Sequence, residues 1–416
     1  MNITIFNAGQ IGGCFTLIET GKANILIDYG QALPGSDEEQ ETFDWEKTSI
    51  HAVFITHYHG DHMGRIAEIP GHIPIYMGSV ARQVMINIYK RLSKHNAEHL
   101  KVLEILQGDR IKEVEENKEI KNIPGMVVTP YSVDHSAYDA YMYLVEADGK
   151  AALHTGDFRG HGYRGSKMPD VIKYYVHKNG RQVDYLIIEG TMMGDRAKDQ
   201  PKTEDELLAE ATKRFSENKY AFLVISSTNL DSLSSFHRAA RRFGMRTYCY
   251  SDYLCEQLQL FSETAGKRSA KYLFKDYYPV MFGKIFRKRT WKRTMSQEDI
   301  MRQFGFLCII KPTKKYAKWI ERFADKNPLV IYSLWNGYLN KNHKAYNKEW
   351  AEFFKPYQQS GQFVDLHTSG HADPKMIATI IEAVDPQEKI YPMHTEHAQG
   401  FLELDIREEL KQRVEL

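Results

Sequence analysis

The order of apolar runs predicts an α/β protein: a layered αββα sandwich into which a second, doubly wound α/β unit is inserted. Three observations carry this expectation. From Met1 to about Gly194, short apolar runs alternate with helix-like segments, and from Lys202 the chain turns to a regular repeat of strand and helix. Segments rich in metal-type ligands stop near Gly194 and resume only at His367, so the C-terminal stretch completes the first domain. The expected boundaries are 1–195 for the first part of that domain, 196–361 for the insertion and 362–416 for the completing segment.

Each element has a local reason. Met1 to Phe6 alternates as a strand and lacks the charged start and apolar core of a leader. Leu26-Ile27-Asp28 is a strand ending in an acid, and Ala52-Val53-Phe54-Ile55-Thr56 is a buried strand. Val80 to His95 has helical spacing, while Met142 to Val145 and Ala151 to Leu153 are apolar strands. In the insertion, Thr203-Glu204-Asp205-Glu206 opens a helix towards Phe215, with acidic residues suiting the positive end of the helix dipole. Ala221 to Ile225 is a buried parallel strand, followed by Ser226-Ser227-Thr228-Asn229 and a helix from Leu230 to Phe243 that ends near Gly244. Alternation continues through Leu307 to Ile310, Thr313 to Ala324 and Leu329 to Tyr332. No internal repeat or low-complexity segment interrupts it.

Chemistry concentrates in His57-Tyr58-His59-Gly60-Asp61-His62, directly after the Ala52–Thr56 run. Three imidazoles and a carboxylate within six residues can hold two metal ions side by side. In the extended stretch His57 and His59 point the same way and suit one ion, and Asp61 and His62, beyond the Gly60 turn, can face a second. The bland alternative is a set of surface polar residues at a turn, and such spacing rarely arises by chance.

This motif resembles that of the metallo-β-lactamase fold, and the rest of the chain follows that family in order. Asp28 matches the acid of the early strand, Val133-Asp134-His135 the next histidine, and His154-Thr155-Gly156-Asp157 the bridging aspartate. Alone, each would be read as a capping or hydrogen-bonded residue; their order, each after an apolar run, makes them ligand candidates. Three further motifs resemble the β-CASP nucleases, specifically the ribonuclease J-like group. They are Leu186-Ile187-Ile188-Glu189-Gly190-Thr191, Leu366-His367-Thr368-Ser369-Gly370-His371-Ala372 and Ile390-Tyr391-Pro392-Met393-His394-Thr395-Glu396. A histidine in the last of these is typical of members acting on RNA.

The resemblance implies a metal-dependent nuclease cleaving phosphodiester bonds, in single-stranded RNA above all, with a hydroxide activated by two divalent ions. It assigns His57, His59 and His135 to one ion, Asp61, His62 and His394 to the other, and Asp157 to the bridge. Asp61 and Glu189 count with His371 as catalytic residues. Glu189 orients a histidine or proton path, and His371, outside both ligand sets, stabilises the scissile phosphate or protonates the leaving oxygen. His367 and Ser369, with His371, hold substrate phosphate. Asp28 orients the histidine loop without touching metal. An imidazole-rich set suits Zn2+, with Mn2+ as the alternative. Two other activities remain beside this one: a DNA nuclease of the same fold, or a small-molecule metallohydrolase of lactonase or thioesterase type. A catalytically silent RNA-binding subunit fits less well, because every ligand position is filled.

Composition bounds the rest. A chain of 416 residues with 42% hydrophobic content supports about two domains with cores of their own. A net charge of +1 gives no global basic field, so nucleic acid must be held by a local groove. The active-site cleft is expected between the two domains, covered by the insertion. Lys284, Arg287, Lys288, Arg289, Lys292 and Arg293, interleaved with Phe286 and Trp291, form the densest basic run. That run is either a solvated face or a phosphate contact with stacking rings. Ser333 to Tyr338 can line the cleft, though Trp335 is expected simply to pack. Cys14, Cys249, Cys255 and Cys308 lack metal or disulfide spacing, which fits a reducing compartment. Without an 18-residue apolar stretch, a soluble cytoplasmic protein with no membrane partner is expected. A homo-oligomer is compatible with the sequence but not indicated by it. His51, His72, His95, His99, His177, His237 and His343 show no ligand spacing; His154 and His161 are ambiguous, and His397 reaches the site only if a helix follows His394.

Overall fold

The computed structural model describes residues 1–33, 40–94, 96–194, 202–281, 288–289 and 294–416. The chain forms two compact units, Met1–Pro201 with Ser369–Leu416, and Lys202–Thr368.

The first unit stacks two sheets. One runs in sequence order through Asn2–Phe6, Phe15–Glu19, Asn24–Ile27, Ala52–Phe54, Ile75–Gly78 and Ile111–Val114. The other has the order Lys389–Met393, Tyr185–Glu189, Lys150–His154, Ala140–Ala147, Met126–Val133 and Ile120–Ile123. Period-two alternation divides the second sheet between two cores. Tyr141, Tyr143 and Val145 face Ile25, Ile27 and Phe54 of the first sheet, whereas Met142 and Leu144 face Ile377, Ile381 and Val384 of the helix Pro374–Val384. Side chains in both cores are almost wholly removed from solvent, and each buried Leu, Ile or Phe contributes roughly 1.5–3 kcal/mol of transfer free energy. Lys389–Met393 pairs in parallel with Tyr185–Glu189, register Glu189 to Met393, which brings the C-terminal segment into the sheet edge.

In the second unit six strands lie parallel in the order Tyr277–Pro279, Arg246–Cys249, Phe306–Ile309, Tyr220–Ile225, Leu329–Ser333, Phe363–Asp365. Thr203 forms a capping box with Glu206 at the start of the helix Glu204–Glu217, the start expected from its acidic first turn. Below it lies an unexpected polar knot: buried Glu204 accepts from Ser232 Oγ and Ser235 Oγ at 2.7 and 2.8 Å, fastening this helix to Leu230–Arg242. Trp335 packs edge-on against Tyr338 and His343.

The helix expected from Val80 to His95 spans Ser79–Leu92, and a second helix, Ala97–Gln107, begins at Asn96, whose side chain accepts from the Glu98 and His99 amides. His95 lies outside the described residues. So does the basic run from Lys284 to Arg293, except for the backbone of Lys288–Arg289, which pairs with Thr294–Met295. Among the described residues no helix is long and apolar enough to cross a membrane. All four cysteines are free thiols.

Candidate metal centre

The site is assembled where strand ends of both sheets of the first unit meet. Ala52–Phe54 delivers His57 and His59, and Asp61 and His62 follow in the helical turn Gly60–Met63. Met126–Val133 delivers His135, Lys150–His154 delivers Asp157, Tyr185–Glu189 ends in Glu189, and Lys389–Met393 delivers His394. The hexapeptide is zipped to the strand end at Asp28: Tyr29 N donates to His62 O (2.8 Å) and Gln31 N to Gly60 O (3.0 Å). Residue 30 must be glycine, since a Cβ there would lie 1.7 Å from Asp61 O. Asp28 and His394 hold φ of 63° and 54°, a left-handed conformation costing about 1 kcal/mol for a residue with a side chain, and both aim at the site.

Two sets of donor atoms result. His57, His59 and His135 form one, and Asp61, His62, Asp157 and His394 the other, with ligand atoms in each set within 4.8 Å of one another. Hydrogen bonds at the far ring nitrogens fix which nitrogen is bare. His57 Nδ1 donates to Thr56 Oγ1 (3.1 Å), which itself donates to Asp28 Oδ2 (2.8 Å). His62 Nδ1 donates to Asp28 Oδ2 (2.8 Å), His135 Nδ1 to Gly370 O (2.6 Å), and His394 Nδ1 to Thr191 Oγ1 (2.8 Å). All four therefore present Nε2 to the cluster, while His59 presents Nδ1, 3.1 Å from His57 Nε2 and 3.2 Å from His135 Nε2. Asp28 also accepts from the Thr56 amide at 2.7 Å.

This arrangement fits divalent cations. Ring nitrogens as close as those 3.1 and 3.2 Å from His59 Nδ1 repel unless a positive charge lies among them, and tetrahedral ligands at Zn–N lengths of about 2.0–2.1 Å sit about 3.3 Å from one another. Burial, with the neighbouring imidazoles, holds His57 and His135 well below the usual histidine range, and burial pushes His59 down to about 4, so these rings are neutral and competent as ligands. Asp157 Oδ1 is buried with no hydrogen-bond partner, an otherwise costly state. Its Oδ2 lies 3.1 Å from His62 Nε2 and 4.0 Å from His57 Nε2, between the two sets. Burial alone would lower the proton affinity of His62, but Asp157, Asp28 and Asp61 outweigh it and raise it well above the ordinary value. A proton and a cation are alternatives at that nitrogen.

His371 stands beside these sets. Its Nδ1 is 3.1 Å from Glu189 Oε2 and 3.6 Å from Asp157 Oδ2. Burial opposes its charge, yet Glu189 and Asp157 together push its pKa up to about 9. Glu189 is fully buried and also accepts from Phe158 N (2.9 Å) and Thr191 N (3.2 Å). Asp157, Glu189, His371 and His394 form a third set of donor atoms within 4.8 Å, so distance alone does not separate His371 from the ligands. Ser369 Oγ accepts from His371 N (3.1 Å) and is engaged in its own loop, and His367 belongs to the second unit.

The ambiguous histidines are resolved by their bonds. His154 Nδ1 accepts from Gly156 N and its Nε2 lies 3.2 Å from Thr16 Oγ1, a core role. His161 Nε2 donates to Ser369 O at 2.7 Å. His397 is in no candidate cluster among the described residues, because the turn after His394 is not helical until Ala398. Sequence reasoning missed Thr56, Thr191 and Arg159: the first two adjoin recognised motif residues, whereas nothing in the spacing singles out Arg159.

Comparison with known proteins agrees with this geometry. The metallo-beta-lactamase superfamily model matches residues 12–185, and members of that superfamily are hydrolases. The endoribonuclease YSH1 of Mycosarcoma maydis is 30% identical over 181 residues, 38% of this chain and 20% of that protein. Ribonuclease J of Helicobacter pylori is 26% identical over 193 residues, 44% of this chain and 26% of that protein. An atrochrysone carboxyl ACP thioesterase of Aspergillus chevalieri is 27% identical over 157 residues, 37% of this chain and 43% of that protein. The matches thus span between 20% and 43% of these relatives' own length. A crystal structure of a protein of unknown function from Enterococcus faecalis V583 shares the fold, with a TM-score of 0.68 at 17% identity over 96% of this chain and 95% of that one.

Proposed function

We propose that the chain is a metal-dependent nuclease of the β-CASP, ribonuclease J-like kind, hydrolysing phosphodiester bonds in single-stranded RNA. The observation that carries this reading is the His371–Glu189 pair: an imidazole whose Nδ1 lies 3.1 Å from a buried carboxylate and 3.6 Å from Asp157. Phosphodiester hydrolysis forms a bond from water oxygen to phosphorus and expels an alkoxide, which needs a proton. His371, with Nδ1–H committed to Glu189, keeps Nε2–H to give to that oxygen or to the phosphoryl oxygens. His57, His59, His135 and Asp157 would hold one divalent ion and Asp61, His62, Asp157 and His394 the other, and zinc suits this set best. When bound, such ions supply Lewis acidity and a nucleophile at neutral pH. Asp28, Thr56, Thr191 and the Gly370 carbonyl fix the rings that would hold them.

The deciding assay uses end-labelled single-stranded RNA and DNA carrying 5′-phosphate or 5′-hydroxyl ends. RNA cleavage that chelator abolishes is expected, and His371→Ala should lower turnover roughly a hundredfold with metal content unchanged. Metal loss in that variant would instead place His371 in the ligand shell. The thioesterase relative favours a second reading, hydrolysis of a small thioester; turnover of an acyl thioester with no cleavage of either nucleic acid would select it.

A further inference from the structure

Two side-chain donors from outside the candidate ligand sets meet at one backbone carbonyl, that of Ser369. Arg159 is fully buried, and its guanidinium Nε donates to Asp134 Oδ1 at 3.0 Å while its amide donates to Asp134 O at 2.7 Å. The same guanidinium reaches on through Nη1 to Ser369 O at 3.1 Å, and His161 Nε2 donates to that oxygen at 2.7 Å. One residue later, Gly370 O accepts from His135 Nδ1, and one residue after that stands His371. The loop lies flat against its support, since a Cβ at position 370 would come 2.6 Å from Ser136 Oγ.

We infer that Arg159 and His161 are positioning residues that clamp the Ser369 carbonyl and thereby set His371 against Glu189. Asp134 precedes His135 in the chain, and Arg159 follows Asp157 by two residues. The clamp therefore ties the loop bearing His371 to the two segments that deliver His135 and Asp157. Taking an arginine and an aspartate wholly out of water gains little net stability, because desolvation offsets their attraction. What such a pair does supply is fixed geometry, and a carbonyl gripped by two donors cannot swing. A proton donor displaced by about 1 Å can cost on the order of a hundredfold in rate, so the clamp acts on turnover and not on metal affinity.

Removing Arg159 would strand a buried Asp134, so His161 is the better handle. His161→Leu deletes one donor, and His161→Gln restores an N–H near the place of Nε2. The turnover arm rests on the nuclease reading; a second arm does not. In the metal-loaded protein, hydrogen exchange of peptides covering residues 366–373 is followed by mass spectrometry. Expected for His161→Leu is faster exchange confined to that loop, a turnover of RNA lowered about tenfold, and unchanged KM and metal content, with His161→Gln reverting both effects. Unchanged exchange overturns the inference, as does faster exchange with full turnover, or a loss of turnover that merely follows metal loss. If the parent protein cleaves no phosphodiester at all, the nuclease reading falls, and loop exchange alone decides whether the clamp exists.

Discussion

Glu189→Gln isolates the charge that keeps His371 protonated. The buried carboxylate lies 3.1 Å from His371 Nδ1 and, against the opposing effect of burial, is the foremost cause of a pKa pushed up to about 9 from 6.5. Since the raised value favours the imidazolium, the proton is present at low pH and is lost as pH rises through about 9 in the parent. In the variant the same loss moves towards the ordinary 6.5. If the value falls the whole way to 6.5 and turnover follows the imidazolium fraction, the variant is slower by roughly thirtyfold at pH 8 and by less than about twofold at pH 6. Glutamine keeps the shape but turns an amide N–H towards the Phe158 or Thr191 amide in place of an acceptor, at a cost of about 1–3 kcal/mol in stability. Thermal unfolding measures that cost separately. The assay is a pH profile of RNA cleavage, whose alkoxide leaving group needs the proton; a p-nitrophenyl phosphodiester, with a far better leaving group, should show a smaller shift. A variant whose high-pH limb stays near 9, or whose loss is equal at pH 6 and pH 8, would refute the role given to the His371–Glu189 pair.

Other expectations follow from the same geometry. The purified protein should hold two divalent ions per chain, and Asp61→Ala should abolish activity while circular dichroism stays that of the parent; elemental analysis without transition metal, together with chelator-insensitive cleavage, would count against the site. Asp28→Asn removes the carboxylate shared by Thr56 and His62 and should weaken metal affinity about 10–100-fold, as measured by competition with a chromophoric chelator; an unchanged affinity would leave Asp28 a purely structural acid. Replacing Arg287, Lys288 and Arg289 by alanine should weaken RNA binding and flatten its salt dependence, with bis-p-nitrophenyl phosphate hydrolysis nearly unchanged. Identical binding across a salt titration would make that run a solvated face.

Short-range pattern was enough for much of this protein. Alternation in Met126–Val133 and Ala140–Ala147, the acidic start at Glu204, and the crowding of His57, His59, Asp61 and His62 are each properties of a few neighbouring residues, which period and propensity report directly. The extra helix at Ala97–Gln107 was legible too, in the cap residue Asn96 and the apolar period through Leu100, Leu103 and Leu106, but was not read from the sequence. Motif resemblance named His135, Asp157 and His394, but the pairing of Lys389–Met393 with Tyr185–Glu189 that brings His394 beside Asp61 joins residues some two hundred positions apart, and no local preference encodes that register. Tertiary structure also decided which nitrogen of each ring is bare, and that His154 is a core residue while His161 grips Ser369, since tautomer and partner depend on atoms far away in the chain. Arg159 illustrates the limit best: a lone arginine after a strand reads as a surface charge, and only the folded chain, by burying it against Asp134, makes it part of the site.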